Sequence, residues 1–121
     1  MKKLVIASVA SLVLATAALA PAALAAPPSN VVHLTAMKMG LMFDKKTLSA
    51  KAGRITLVFT NDSPLHHNVR LEIGEKEYGG TKTIGTGTTT AVVTLKKGTY
   101  HFYCSIKGHE DAGMSGTLVV S

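Results

Sequence analysis

The chain's one cysteine stands five residues before a histidine, and that histidine stands five before a methionine. Cys104, His109 and Met114 lie in the run Tyr-Cys-Ser-Ile-Lys-Gly-His-Glu-Asp-Ala-Gly-Met, a C-x4-H-x4-M pattern. One short loop therefore offers a thiolate, an imidazole and a thioether, a soft ligand set suited to copper. Calcium and magnesium seek oxygen, and structural zinc usually takes several Cys or His without Met. A second imidazole from a neighbouring strand would complete a His₂Cys plane with a weak axial Met, an arrangement that copper uses for electron transfer. His67, followed by Asn68, stands where a strand could supply it.

The elements that must position these residues read as β. Residues 54–60, Arg-Ile-Thr-Leu-Val-Phe-Thr, alternate and put Ile55, Leu57 and Phe59 on one face. Residues 89–95 do the same with Ala91, Val93 and Leu95. Lys97-Gly98 then turns the chain into a strand over residues 99–104, and residues 116–120 form a last one. Turn signals separate these runs at Ala52-Gly53, Asn61-Asp62-Ser63-Pro64, Gly79-Gly80 and Gly85-Thr86-Gly87. No helical periodicity of useful length and no internal repeat is present. Short strands at this spacing predict an all-β Greek-key sandwich. Residues 74–88 are polar and rich in Gly and Thr, and are expected to form a long surface excursion.

Strand phase sorts the five histidines. In His66-His67-Asn68-Val69-Arg70-Leu71-Glu72-Ile73, His67 shares a face with Val69, Leu71 and Ile73, while His66 falls with Arg70 and Glu72 on the wet face. In Thr99-Tyr100-His101-Phe102-Tyr103-Cys104, the inward set is Tyr100, Phe102 and Cys104, and His101 points out. His33 lies opposite Val32 and Leu34. Only His67 is predicted inward from a strand, and only His109 lies on the ligand loop. Taken singly, an inward Cys is more often a small core residue, an inward His a hydrogen-bonded core group, and a Met before a strand core filler. Together, at this spacing, they point to a copper site.

The first residues read as a processing signal. Met1-Lys2-Lys3 supplies a positive start, residues 4–19 are almost wholly apolar, and Ala23-Leu24-Ala25 is a small-x-small cleavage site. A signal peptide over residues 1–25 and one copper-binding domain over 26–121 are expected. The uncleaved segment is about long enough to anchor the chain in a membrane. Removing Lys2 and Lys3 leaves 11 of the 13 Lys+Arg against 7 Asp+Glu, a net charge of about +4 that favours acidic partners. Nucleic acid is a poor partner, because the basic residues are scattered among Thr and apolar positions. A lone thiol in an exported protein needs a role, and metal ligation gives one.

On His67-Asn68-Val69 and the run from Tyr103 to Gly116, the chain resembles the blue-copper (cupredoxin) family, which includes plastocyanin, azurin, amicyanin and rusticyanin. The likeness runs from about Val31 to the end. The ligand loop is longer than plastocyanin's between Cys and His and longer than azurin's between His and Met, and its spacing is nearest to rusticyanin's. The resemblance implies a cupredoxin-like β-sandwich with one mononuclear type 1 copper, His67, Cys104 and His109 in a plane and Met114 axial. It implies that Asn68 ties the first-ligand segment to the cysteine loop, with Ser105 bonding across that loop. It also implies a one-electron carrier rather than an enzyme. His109 would stand exposed amid Ala112, Gly113, Pro64, Leu65 and residues 40–42, and the site of action would be the periplasm or the extracellular space. Expected partners are redox proteins with acidic docking surfaces; no nucleic acid, a membrane only if the signal segment is retained, and a monomeric state complete the expectation.

Two rivals remain. An oxidase or nitrite reductase domain needs a second copper site, which oxidases build with His-x-His pairs; this chain has none. A copper chaperone would hand over the ion rather than the electron. Met37, Met39 and Met42, near His33, form a second thioether-rich stretch, with Met37 and Met39 on one strand face. Core or patch packing is their expected role.

Overall fold

The computed structural model describes residues 30–121, and the predicted signal segment, residues 1–25, lies outside them. Along these residues run β1 (Val31–Ala36), β2 (Thr47–Ala50), β3 (Gly53–Asn61), β4 (Arg70–Ile73), β5 (Lys76–Gly80), β6 (Gly87–Leu95), β7 (Gly98–Tyr103) and β8 (Ser115–Val120). No helix occurs among the described residues. The strands make two sheets, β1-β3-β6 and β2-β8-β7-β4-β5. The β1–β3 and β2–β8 pairs are parallel and the others antiparallel.

The predicted alternation decides what lies between the sheets. Ile55, Leu57 and Phe59 of β3 are buried, as are Val93 and Leu95 of β6, Tyr100 and Phe102 of β7, and Cys104 just beyond it. Ala91 is only half-buried. Phe43 sets its ring edge-on to Phe59 at 6.2 Å and to Phe102 at 5.7 Å, joining the two layers near the end where Cys104 lies. Tyr78 and Tyr100, 5.1 Å apart and nearly perpendicular, pair toward the other end, where the Tyr100 hydroxyl donates to the Lys96 carbonyl.

Sheet register brings distant residues together. Arg70 pairs with Tyr103 and Leu71 with Phe102, so the same ladder, run past the strand ends, sets residues 67–69 beside 104–106. Tyr103 pairs with Ser115 across β7–β8, and one step on, the Cys104 N–H donates to the Met114 carbonyl at 3.0 Å. Two ladders thus aim three segments at one end of the sandwich.

The structure departs from the sequence reading in four places. Ile73, expected inward, is exposed, because the β4–β5 register shifts between Leu71 and Glu72 and the strand ends there at the Gly74 turn. Residues 74–88 are not a free excursion: residues 76–80 form β5, and the chain then crosses the sandwich end to β6. The edge strand β2 carries one buried residue, Leu48, and so lacks an alternation to read. Met37 and Met39 lie on a loop rather than on a strand.

Gly116 is where β8 passes beneath the core. A Cβ there would run into the Phe102 ring and stand 2.5 Å from the Lys46 carbonyl oxygen. Backbone and a packed ring cannot both give way. Gly116→Ala is expected to cost about 3 kcal/mol of unfolding free energy in urea titration; a loss below about 0.5 kcal/mol would show that β8 yields freely.

Candidate metal centre

Asn61 begins the site. Its side-chain amide donates to the carbonyls of Leu65 (2.7 Å) and Ile84 (3.1 Å), and its oxygen accepts from the Ser63 N–H at 2.9 Å. The Ser63 hydroxyl oxygen accepts from the Leu65 N–H at 3.0 Å, so residues 61–65 form a turn closed by short polar side chains. This turn delivers His67 to the interior. Its backbone exchanges two hydrogen bonds with Ile84, N–H to O at 3.0 Å and O to N–H at 2.9 Å. The strap continues at Thr81, whose hydroxyl oxygen accepts from the Val69 N–H at 3.0 Å and whose own N–H donates to the Val69 carbonyl at 2.8 Å.

Cys104 follows β7 directly. The loop from it to Met114 is wound by its own backbone: the N–H groups of His109, Met114 and Gly113 donate to the carbonyls of Ile106, His109 and Glu110 at 3.0, 3.1 and 2.8 Å. Gly108, at φ 83°, takes the left-handed turn that lets the chain double back. The Lys46 ammonium bonds the carbonyls of Gly113 and Ser115 from outside.

Three ligand-type atoms converge. His67 Nδ1 lies 3.1 Å from His109 Nδ1, and Cys104 Sγ lies 3.5 Å from His109 Nδ1 and 3.8 Å from His67 Nδ1. A point equidistant from atoms so spaced lies about 2.0 Å from each, the length of a metal–imidazole bond and slightly short of a metal–thiolate bond. His67 Nε2 is 3.1 Å from Ser63 Oγ; a proton on Nε2, given to that oxygen, leaves the Nδ1 lone pair aimed inward. His67 and Cys104 are buried, while His109 is partly exposed. Burial, and then the neighbouring charges of His109 and His66, hold the His67 imidazole below its usual pKa of 6.5. The three atoms lie within hydrogen-bonding distance of one another, and a soft cation that takes the place of the shared protons would be met by two imidazole nitrogens and one sulfur.

Of the predicted site residues, His67, Cys104 and His109 come together in this way. Met114 is fully buried, its N–H and C=O bonded to His109 and Cys104 of the same loop. His66 is exposed, with its ring near Gly85. His101 turns away from the site, stacks on Tyr103 at 5.6 Å and approaches Glu110 at 3.8 Å. Asn68, only 4% exposed, does what the resemblance implied. Its amide donates to the hydroxyls of Thr83 (2.9 Å) and Ser105 (2.8 Å), and its oxygen accepts from the Ser105 N–H at 2.8 Å. Sequence reasoning missed Ser63, Thr81, Thr83 and Ile84 as braces. Ser63 had a signal in its turn context; the three strap residues had none.

A sequence profile of the family described as copper binding proteins, plastocyanin/azurin family, matches residues 30–121. Chloroplastic plastocyanin of Pisum sativum is 35% identical over 126 aligned positions, which take in 96% of this chain and 68% of the pea protein. The crystal structure of reduced auracyanin from Roseiflexus castenholzii superposes with a TM-score of 0.72 at 25% identity, covering 77% of this chain and 98% of that one. Rusticyanin from Thiobacillus ferrooxidans, at 21% identity and a TM-score of 0.64, covers 75% and 76% and shares the fold.

Two outcomes follow from the bracing. Asn68→Ala removes three part-buried hydrogen bonds between the two segments, and copper-free protein should lose about 1.5 kcal/mol in urea titration; a loss below about 0.5 kcal/mol would mean that the segments dock without it. The depressed His67 pKa means that the unfolded chain takes up this proton first as pH falls. Stability of the copper-free protein should therefore hold above pH 6.5 and decline below it, by a slope that His67→Ala reduces. An unchanged slope in the variant would assign the titration elsewhere.

Proposed function

This chain belongs to the plastocyanin/azurin family of copper-binding proteins, and from that premise we propose that His67, Cys104 and His109 would hold one copper ion, with the Met114 thioether as a weaker fourth donor. The protein is a blue copper electron carrier. The observation that carries the ligand assignment is the convergence of two Nδ1 atoms and one Sγ within 3.8 Å. Copper, when bound, supplies the one-electron Cu(I)/Cu(II) couple. The residues supply the rest. Cys104 gives a thiolate from a site closed to water, where the bound ion keeps it ionised. The braces on His67 and the cysteine loop hold the donors in one arrangement whichever oxidation state is present, so that little has to move when an electron arrives. Asn68 and Ser105 orient the segments that carry the donors, a role whose loss costs metal affinity about 10–100-fold elsewhere.

His109 is the partly exposed member and the point of electron exchange. Pro64, Leu65 and Ala112, on the two segments that carry His67 and His109, are all exposed. A small apolar rim of this kind suits a brief, weak encounter. The excess of basic residues steers acidic redox partners toward the protein. The chain is read as exported through a cleaved segment of residues 1–25 and as working in the periplasm or the extracellular space. It is read as turning over no substrate. What supports that reading is the lack of any His-x-His pair in the sequence and a donor set of which only His109 is partly exposed.

Visible and EPR spectra of copper-loaded, oxidised protein test the assignment. Intense thiolate-to-copper absorption with narrow hyperfine splitting is expected. Cys104→Ser should abolish the colour and His66→Ala should leave it. A pale complex with ordinary splitting, or bleaching by His66→Ala, would contradict the assignment.

A further inference from the structure

The chain holds five methionines, and apart from Met1 and Met114 all of them fall in one six-residue loop, Met37-Lys38-Met39-Gly40-Leu41-Met42. None of the three is core. Met37, Met39 and Met42 are 40%, 80% and 48% exposed, so core packing does not account for them. An apolar rim could be built from any aliphatic residue. What thioethers add is a soft donor, and the loop offers no side-chain oxygen that a hard cation would prefer.

The loop's backbone brings them together. Ala36 pairs with Phe43, and the Met37 N–H donates to the Met42 carbonyl at 3.0 Å, which makes Met37 and Met42 a cross-strand pair. Gly40, at φ 78°, turns the tip. Met42 Cε and Cγ lie 3.5 and 4.0 Å from where a Gly40 Cβ would stand, so its thioether end lies over the tip of the loop that carries Met39. The loop leaves the sandwich at the copper end. Ala36 pairs with Asn61, its carbonyl accepts from the Asp62 N–H at 3.0 Å, and the next residue, Ser63, contacts His67.

We propose that Met37, Met39 and Met42 form a second, solvent-facing site that takes up Cu(I) as an entry point for the buried centre. The proposal rests on the copper reading of that centre. Copper arrives as Cu(I) and leaves as Cu(I), so no electron changes hands. A thioether needs no deprotonation, so this site takes the ion without releasing a proton, whereas Cys104 must ionise to ligate. Weak, exposed thioethers can therefore capture the ion and release it to the stronger donor set nearby.

The test titrates copper-loaded, reduced protein with further Cu(I) in competition with a chromogenic Cu(I) chelator, with the methionine methyls carbon-13 labelled. A second equivalent should be withheld from the chelator, shifting the methyl signals of Met37, Met39 and Met42 but not that of Met114. The triple variant Met37→Leu/Met39→Leu/Met42→Leu should lose the second equivalent and keep the first, together with the colour on oxidation. It should also load from a Cu(I) donor at least about tenfold more slowly. Met39→Leu alone, at the most exposed position, weakens the second site with no bearing on folding. A wild-type protein that withholds no second equivalent, or a triple variant that keeps it, overturns the proposal. Loss of the first equivalent or of the colour would instead count against the buried centre, so the two readings fail separately.

Discussion

Two imidazole nitrogens and a sulfur, each bearing a lone pair, are held 3.1–3.8 Å apart where water does not reach the sulfur or the first imidazole. Left to themselves, polar groups in a core seek donors. These three face one another. They sit at hydrogen-bonding distance, and the polar braces of the sandwich end fix the segments that carry them. Asn61 and Ser63 shape the turn before His67, Ile84 grips its backbone on both sides, and Asn68 clasps Ser105. Folding thus assembles the three side chains in advance of anything they bind, so that little ordering is left for the binding step.

The braces are effective because the segments they hold are extensions of ladders. His67 and Asn68 continue β4, Cys104 continues β7, and Met114 precedes β8, so a shift of any one would have to break sheet pairing. The loop between Cys104 and Met114 is the part free to vary in length. It places His109 at the surface while both of its ends stay fixed by the Cys104–Met114 backbone bond. Burial of the sulfur shields the thiol from oxidants, while one imidazole, that of His109, stays partly exposed.

Much of this was readable from residue order. Alternation over residues 54–60 and 99–104 correctly placed Ile55, Leu57, Phe59, Tyr100, Phe102 and Cys104 inside, and strand phase separated His67 from His66. Phase works over short distances because the side-chain period in a strand is two, and it failed at Ile73, where a register shift intervenes. Long-range coincidence was not in the pattern. That His67 meets Cys104 depends on β4 pairing with β7, a matter of sheet order that neither segment encodes alone. The strap at Thr81, Thr83 and Ile84 was hidden for the same reason: polar residues in a Gly/Thr-rich stretch look solvated until the partners they bond are known. Of the core or patch packing expected for the methionine loop, the core part does not hold, because the closed loop leaves all three side chains exposed.

X-ray absorption at the copper edge, on protein carrying one equivalent of copper, reads the donor atoms directly. Two nitrogens at about 2.0 Å and a single short sulfur near about 2.3 Å are expected, changing little between the oxidised and reduced samples. A shell of nitrogen and oxygen with no short sulfur, or only long thioether sulfurs, would mean that the convergence of His67, Cys104 and His109 is not where copper resides.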